Sequence, residues 1–243
     1  MRSEGQLTVL LTRSDESLAR ELTSRGATVL TVPCVRREPA DHAILVEALA
    51  DLDTDDLLVL TSRAGVDAIA AVTDARAVPC AIAVVGPATA AHLRRLGREP
   101  DVIPSTANGA TLAEELPLPK GVVLLARSDR ALEDLPEILH ARGARVREVV
   151  AYQIRPGADG DVAAAREAIG EGASVVFASP TAVEGFVGDV CAELPAQCTV
   201  VAIGPTTTRA VTRLLGVVPL TASQPSAEAV AQLVLEGSHV AHR

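Results

Sequence analysis

The 243-residue chain is 48% apolar and carries a formal net charge of −9. That length suits two compact domains or one large one. The acidic balance argues against a broad nucleic-acid surface, which needs a basic stripe. Tyr152, Phe177 and Phe186 are the only aromatic residues, so the cores must be aliphatic and aromatic stacking is no general binding device.

The first segment, Leu7–Thr12, reads as an apolar strand ending at Arg13. Ser14 is then expected to cap a helix whose first turn carries Asp15 and Glu16, where negative charge suits the helix dipole. Gly26 closes that helix before a strand over Thr28–Val32, and the polar stretch Cys34–Pro39 reads as an extended linker. A helix over Asp41–Leu52 and a strand over Leu57–Leu60 follow, and Thr61, Ser62 and Arg63 open another helix. Next come a strand over Ala81–Val85, the turn Gly86-Pro87 with Thr89, and a helix through Leu96. A strand over Asp101–Ile103 leads to Asn108, the expected N-cap of a helix through Leu116. Strands alternating with helices imply parallel sheets with right-handed crossovers.

The chain then begins again. Val123-Leu124-Leu125-Ala126-Arg127-Ser128-Asp129 repeats Val9-Leu10-Leu11-Thr12-Arg13-Ser14-Asp15 at an offset of 114 residues. Ala178-Ser179 repeats Thr61-Ser62, and Gly204-Pro205-Thr206-Thr207 repeats Gly86-Pro87-Ala88-Thr89 at an offset of 118. A repeat of half the chain is too long for a solenoid and predicts two similar α/β halves. Pattern alone allows each half to fold on itself, or each domain to mix both halves.

Strand–turn–helix openings recur at Arg13-Ser14, Ser62-Arg63, Gly86-Pro87, Arg127-Ser128, Ser179-Pro180 and Gly204-Pro205. Proline is tolerated at the first helical position, and Ser and Thr are good helix starters on any account. Such openings also gather N–H groups and hydroxyls at the carboxyl ends of strands, where open α/β sheets bind ligands. Six of them, matched across a repeat, predict a carboxylate- or phosphate-rich ligand between two domains. No Gly-rich dinucleotide or nucleotide-triphosphate signature is present. The five histidines (His42, His92, His140, His239, His242) are scattered and suggest no metal site. Cys34, Cys80, Cys191 and Cys198 lack C-x-x-C spacing and read as free thiols of a cytoplasmic, non-membrane protein. Tyr152 stands in the second extended stretch, Ala151–Pro156, as a packing residue or as a proton donor.

Ala202-Ile203-Gly204-Pro205-Thr206-Thr207 and the helix after it resemble the uroporphyrinogen-III synthase family. So do Thr61-Ser62-Arg63, Gly86-Pro87-Ala88-Thr89-Ala90, Val150-Ala151-Tyr152-Gln153, Phe177-Ala178-Ser179-Pro180 and Gln224-Pro225-Ser226-Ala227-Glu228. The resemblance implies an α/β fold of two doubly wound parallel-sheet domains joined by a two-stranded linker, with an internal duplication. One domain would combine residues 1–33 with 157–243, the other would span 40–150, and 34–39 and 151–156 would be the linkers.

It also implies cofactor-independent cyclisation of hydroxymethylbilane, with loss of water and inversion of ring D, by a monomer in transient contact with hydroxymethylbilane synthase. Tyr152 matches the family's cleft tyrosine and would assist departure of the hydroxyl. Arg13, Ser62, Arg63, Thr89, Arg127, Ser128, Ser179, Gly204, Thr206 and Thr207 would hold the carboxylates. The alternative is a non-catalytic module binding a tetrapyrrole or a small polyanion on the same scaffold.

Overall fold

The computed structural model describes residues 7–241, with side chains through Ser238. Its elements run β1 (Thr8–Leu11), α1 (Glu16–Ser24), β2 (Thr28–Thr31), β3 (Val35–Pro39), α2 (His42–Ala50), β4 (Leu57–Leu60) and α3 (Arg63–Val72). There follow β5 (Ala81–Val84), α4 (Pro87–Arg95), α5 (Gly109–Glu115), β6 (Val122–Ser128), α6 (Asp134–Ala141) and β7 (Arg145–Pro156). The chain closes with α7 (Val162–Gly170), β8 (Ser174–Phe177), α8 (Pro180–Asp189), β9 (Val200–Ala202), α9 (Pro205–Leu215), β10 (Leu220–Thr221) and α10 (Ala227–Ala241).

Two compact units result. One takes in the described chain up to Arg36 and from Arg155 onward; the other spans Arg37–Ile154. The first holds a sheet ordered β10-β9-β8-β1-β2, the second sheet is ordered β3-β7-β6-β4-β5. The pairs β1–β2, β1–β8, β8–β9 and β9–β10 are parallel, as are β4–β5, β4–β6 and β6–β7. Each sheet therefore draws strands from both halves of the sequence.

Strand alternation explains why both faces are covered. Leu58 and Leu60 enter one cluster with helices α2, α3 and α4, while Leu57 and Val59 enter the opposite cluster with α5 and α6. In the first unit, Leu10, Val175 and Phe177 pack with α7, α8 and α9; Val9, Leu11 and Val176 pack with α1 and α10. Side chains alternate across a strand, so a strand that is apolar at every position must be buried on both faces. Phe177 and Phe186 meet edge to face, with centroids 5.0 Å apart, as the sole ring pair among the described residues.

Several boundaries differ from expectation. Asp15, not Ser14, caps α1, accepting from the Leu18 N–H at 3.1 Å. A carboxylate outcompetes the neighbouring hydroxyl because the helix N-terminus favours negative charge. The expected strand over Asp101–Ile103 is only a bridge between Val102 and Ala83. The Ala151–Pro156 stretch forms the end of the 12-residue strand β7, which lies beside β3 in the sheet.

All four cysteines are free thiols. Burial, with the nearby Asp189 charge, pushes the Cys34 thiol up to about 12, so it stays protonated and inert. His242 and the side chain of His239 lie outside the described residues, and among the described residues no His, Cys, Asp and Glu cluster could hold a metal. Nor, among them, is any helix long and apolar enough to cross a membrane.

One glycine holds the first unit's packing. A Cβ on Gly185 of α8 would lie 2.1 Å from the Cys34 carbonyl oxygen and 2.5 Å from the Gly157 nitrogen. Both are backbone atoms, joined to each other by the Gly157 N–H donating to the Cys34 carbonyl at 3.2 Å. They cannot swing aside as a side chain would. Gly185→Ala is expected to destabilise the protein by about 3 kcal/mol or more, read by thermal or urea unfolding. A loss within error of Gly188→Ala, whose added Cβ meets nothing within 4 Å, would refute this close approach.

Candidate functional site

Parallel strands all point one way, so their carboxyl ends and the helix starts that follow share one edge of the sheet. In the Arg37–Ile154 unit three of those starts meet around a cavity of about 530 Å³. Its lining includes Thr61 and Ser62 before α3, Val85 before α4, and Asn108 to Ala110 at the start of α5. Arg127 and Ser128 at the end of β6, Arg130 to Leu132 of the following loop, Asp134 and Leu135 at the start of α6, and Tyr152 of β7 close the remainder.

Each start has its own local logic. Ser62 has extended backbone, and its Oγ accepts from the Gly65 N–H at 3.1 Å. Asn108 caps α5 by accepting from Thr111 at 2.7 Å. Gly86 is followed by Pro87 at the first helical position and makes no side-chain cap, leaving the α4 start without a hydroxyl or carboxamide over it.

Tyr152 is half-buried, and its Oη lies 2.8 Å from Ser62 Oγ, a hydrogen bond in which either can donate. How it gets there is not a matter of simple alternation. Val149 and Ala151 both pack into the cluster beneath α2 and α3, whereas Val150 between them is 41% exposed. Continued alternation would turn Tyr152 out with Val150. Instead the β6–β7 register slips: Arg127 faces Val150 but Ser128 faces Tyr152, leaving Ala151 as an extra residue on β7. Such a bulge re-aims the side chain that follows it. Tyr152 accordingly packs against the same cluster as Ala151 and reaches Ser62.

The other expected residues separate into three groups. Ser62, Arg127, Ser128 and Tyr152 line the cavity together, and Arg63, the first residue of α3, is exposed beside them in sequence. Arg127 nevertheless differs from the expected open carboxylate ligand. It is 6% exposed, donates to the Leu132 carbonyl, and pairs with Glu148 and, at 3.3 Å, with Glu133. Its charge is already matched within the fold. Thr89 and Thr207 are 5% and 2% exposed, so their hydroxyls are not open donors; helix starts α4 and α9 present backbone N–H groups instead.

The remaining expected residues lie in the first unit. Ser179 caps α8, accepting from Ala182 at 3.2 Å; Gly204 precedes α9 with no side-chain cap, and Thr206 is exposed. Arg13 is exposed and paired with Asp15 at 2.8 Å. Burial opposes ionisation of Asp15, but the Leu18 N–H and the Arg13 guanidinium outweigh it and hold the carboxyl below its ordinary value. The neighbouring pocket, lined by Thr12, Arg13, Ala178 and Ile203, encloses only about 20 Å³. Sequence pattern marks Asn108 as a cap but not as a cavity wall; its place beside Ser62 follows only from the sheet order β6-β4-β5.

A family model described as uroporphyrinogen-III synthase HemD matches residues 16–232. The chain is 34% identical over 160 residues to uroporphyrinogen-III synthase of Synechococcus elongatus, a match covering 61% of each protein. It is 30% identical over 202 residues to a putative uroporphyrinogen-III synthase of Methanothermobacter thermautotrophicus, covering 76% of this chain and 79% of the relative. The fold is similar to uroporphyrinogen-III synthetase from Helicobacter pylori, with TM-score 0.60, 18% identity, and 95% and 99% of the two chains covered. It is also similar to a mutant uroporphyrinogen III synthase from Thermus thermophilus, with TM-score 0.53, 22% identity, and 97% and 98% covered. With the family model spanning most of its length, the chain belongs to the uroporphyrinogen-III synthase family.

Proposed function

We propose that the chain catalyses cyclisation of hydroxymethylbilane to uroporphyrinogen III, and that Tyr152 assists departure of the hydroxyl. Family membership supports the reaction, and one observation carries the tyrosine's role: the single phenol of the chain is aimed at a cavity on the carboxyl edge of a parallel sheet. The reaction balances as substrate to macrocycle plus water. The ring A carbon–oxygen bond breaks, the departing hydroxide takes a proton to leave as water, and ring D attacks the resulting azafulvenium cation through its substituted carbon. A spiro intermediate rearranges, and loss of a proton restores the pyrrole.

The hydrogen bonds around Tyr152 suit a donor. The Gly65 N–H donates to Ser62 Oγ. With the Ser62 hydroxyl donating in turn to Tyr152 Oη, the phenolic proton is left to point away from Ser62. Each bond in such a chain polarises the next, so the phenol is a better donor than in water.

Holding is the larger task, because the free substrate closes to the type I isomer. We assign carboxylate binding in this unit to the α3 start at Ser62 and Arg63 and to Ser128. The other unit offers the same kind of donor on its own sheet edge at Ser179, Gly204 and Thr206. Backbone N–H groups at helix starts bind anions without needing a side-chain charge. Fixing a reactive conformer in this way supplies several kcal/mol of a barrier.

Three measurements test the reading. Purified protein added to hydroxymethylbilane is expected to give the type III isomer, resolved from type I by chromatography; type I alone would sink the proposal. Tyr152→Phe should lower turnover on the order of a hundredfold or more with unchanged unfolding temperature. Ser62→Ala should remove the α3 cap, costing about 1 kcal/mol of stability, and should lower turnover as well; turnover equal to wild type would detach Ser62 from the tyrosine's action.

A further inference from the structure

Tyr152 reaches Ser62 only because β7 carries an extra residue at Ala151, and something must hold that irregularity in place. Arg127 and Ser128 face the slip, and the residue just beyond it is Asp129. The Asp129 N–H donates to the Tyr152 carbonyl at 3.3 Å, and Asp129 Oδ1 accepts from the Ile154 N–H at 2.8 Å. One aspartate thus grips β7 on both sides of Gln153, at the residue whose side chain must point correctly and at the residue two further on. The grip replaces the ladder bonds that β6 no longer supplies beyond Ser128, where the strand ends.

The loop that carries Asp129 is itself tied down. The Ala131 N–H donates to the Ser128 carbonyl at 3.2 Å, and buried Arg127 donates to the Leu132 carbonyl and pairs with Glu133. A β-bulge that fixes a side chain needs such over-determination, because the regular register is the competing arrangement and would turn the side chain to the other face.

We propose that Asp129 is a positioning residue for Tyr152: by fixing β7 immediately after the bulge it aims the phenol at Ser62 and the cavity, without itself touching substrate. The inference rests on the role proposed above for Tyr152, but its physical half stands apart from any reaction. A carboxylate charge is not required for this grip; an acceptor at the Oδ1 position is. Asp129→Asn can therefore keep both arms, whereas Asp129→Ala keeps the backbone bond to Tyr152 and loses the one to Ile154.

The chain offers a direct reporter, since it has one tyrosine and no tryptophan. Ring-labelled tyrosine gives a single set of NMR signals, and near-ultraviolet circular dichroism reads the same ring. Asp129→Ala is expected to shift the Tyr152 ring signals and weaken the near-ultraviolet band, while far-ultraviolet dichroism stays as in wild type. In the isomer assay kcat should fall on the order of ten- to a hundredfold, with KM within about twofold, as expected of a misplaced reacting group. Asp129→Asn should restore both the ring signals and most of kcat.

Unchanged ring signals in Asp129→Ala would overturn the proposal whatever the activity. Shifted signals with wild-type turnover would overturn Asp129's part in the reaction. Asn behaving like Ala would overturn the acceptor argument. Should Asp129→Ala fail to fold, Asp129→Glu carries the test, because its longer arm misplaces the acceptor: ring signals identical in Asn and Glu would then refute the grip. Failure of the synthase reading looks different, because wild-type protein would give no type III product while the ring signals would still report on Asp129.

Discussion

A parallel strand cannot reach its neighbour by a tight turn; the chain must cross back over the sheet, and here it crosses as a helix. Almost everything else in the molecule follows from that constraint. Crossovers cover both faces, so β1, β4, β6 and β8 are apolar at nearly every position. Because every crossover begins at the carboxyl end of a strand, helix starts accumulate along one edge. The partial positive charge of those starts collects where no strand or helix can cover it, and the cavity beside Tyr152 lies there.

That logic also explains which parts of the molecule are legible in its sequence. Caps and turns are local: Ser62, Asn108 and Ser179 accept from the N–H three positions on, and Pro87 and Pro205 stand at the first helical position after Gly86 and Gly204. Residue type and spacing are enough to place them. Local pattern does not settle the competition between Ser14 and Asp15, because both residue types cap well and they stand one position apart. The short apolar pattern near Val102 promises a strand, yet its few apolar residues meet a single partner at Ala83.

The site is less legible for a related reason. Arg127 looks, in sequence, like any cation at a helix opening. Its burial depends on Glu148, which arrives from the next strand, so its charge is matched in a way no local pattern announces. Thr89 and Thr207 carry hydroxyls at promising positions, but the helices that hold them turn those positions inward. The aim of Tyr152 depends on how β7 registers against β6, and register belongs to a pair of strands, not to either one. Residue type identifies the tyrosine; pairing alone decides where it points.

The strand order carries a consequence for how the chain acquires its structure. β1 lies between β2 and β8, and Thr12 donates to the Val176 carbonyl across 164 residues of sequence. Contacts so distant in sequence form late, because a long loop must close before they gain anything. During synthesis the segment Val9-Leu10-Leu11 therefore leaves the ribosome long before its second partner strand, β8, exists, whereas β4 to β7 complete their own unit from one uninterrupted stretch. The continuous unit can mature first, and β1, with β2 at hand on one side, spends that interval with its β8 side unpaired. The danger for this protein in a cell thus lies in that one early strand, at a time when the residues that carry the chemistry are already in place.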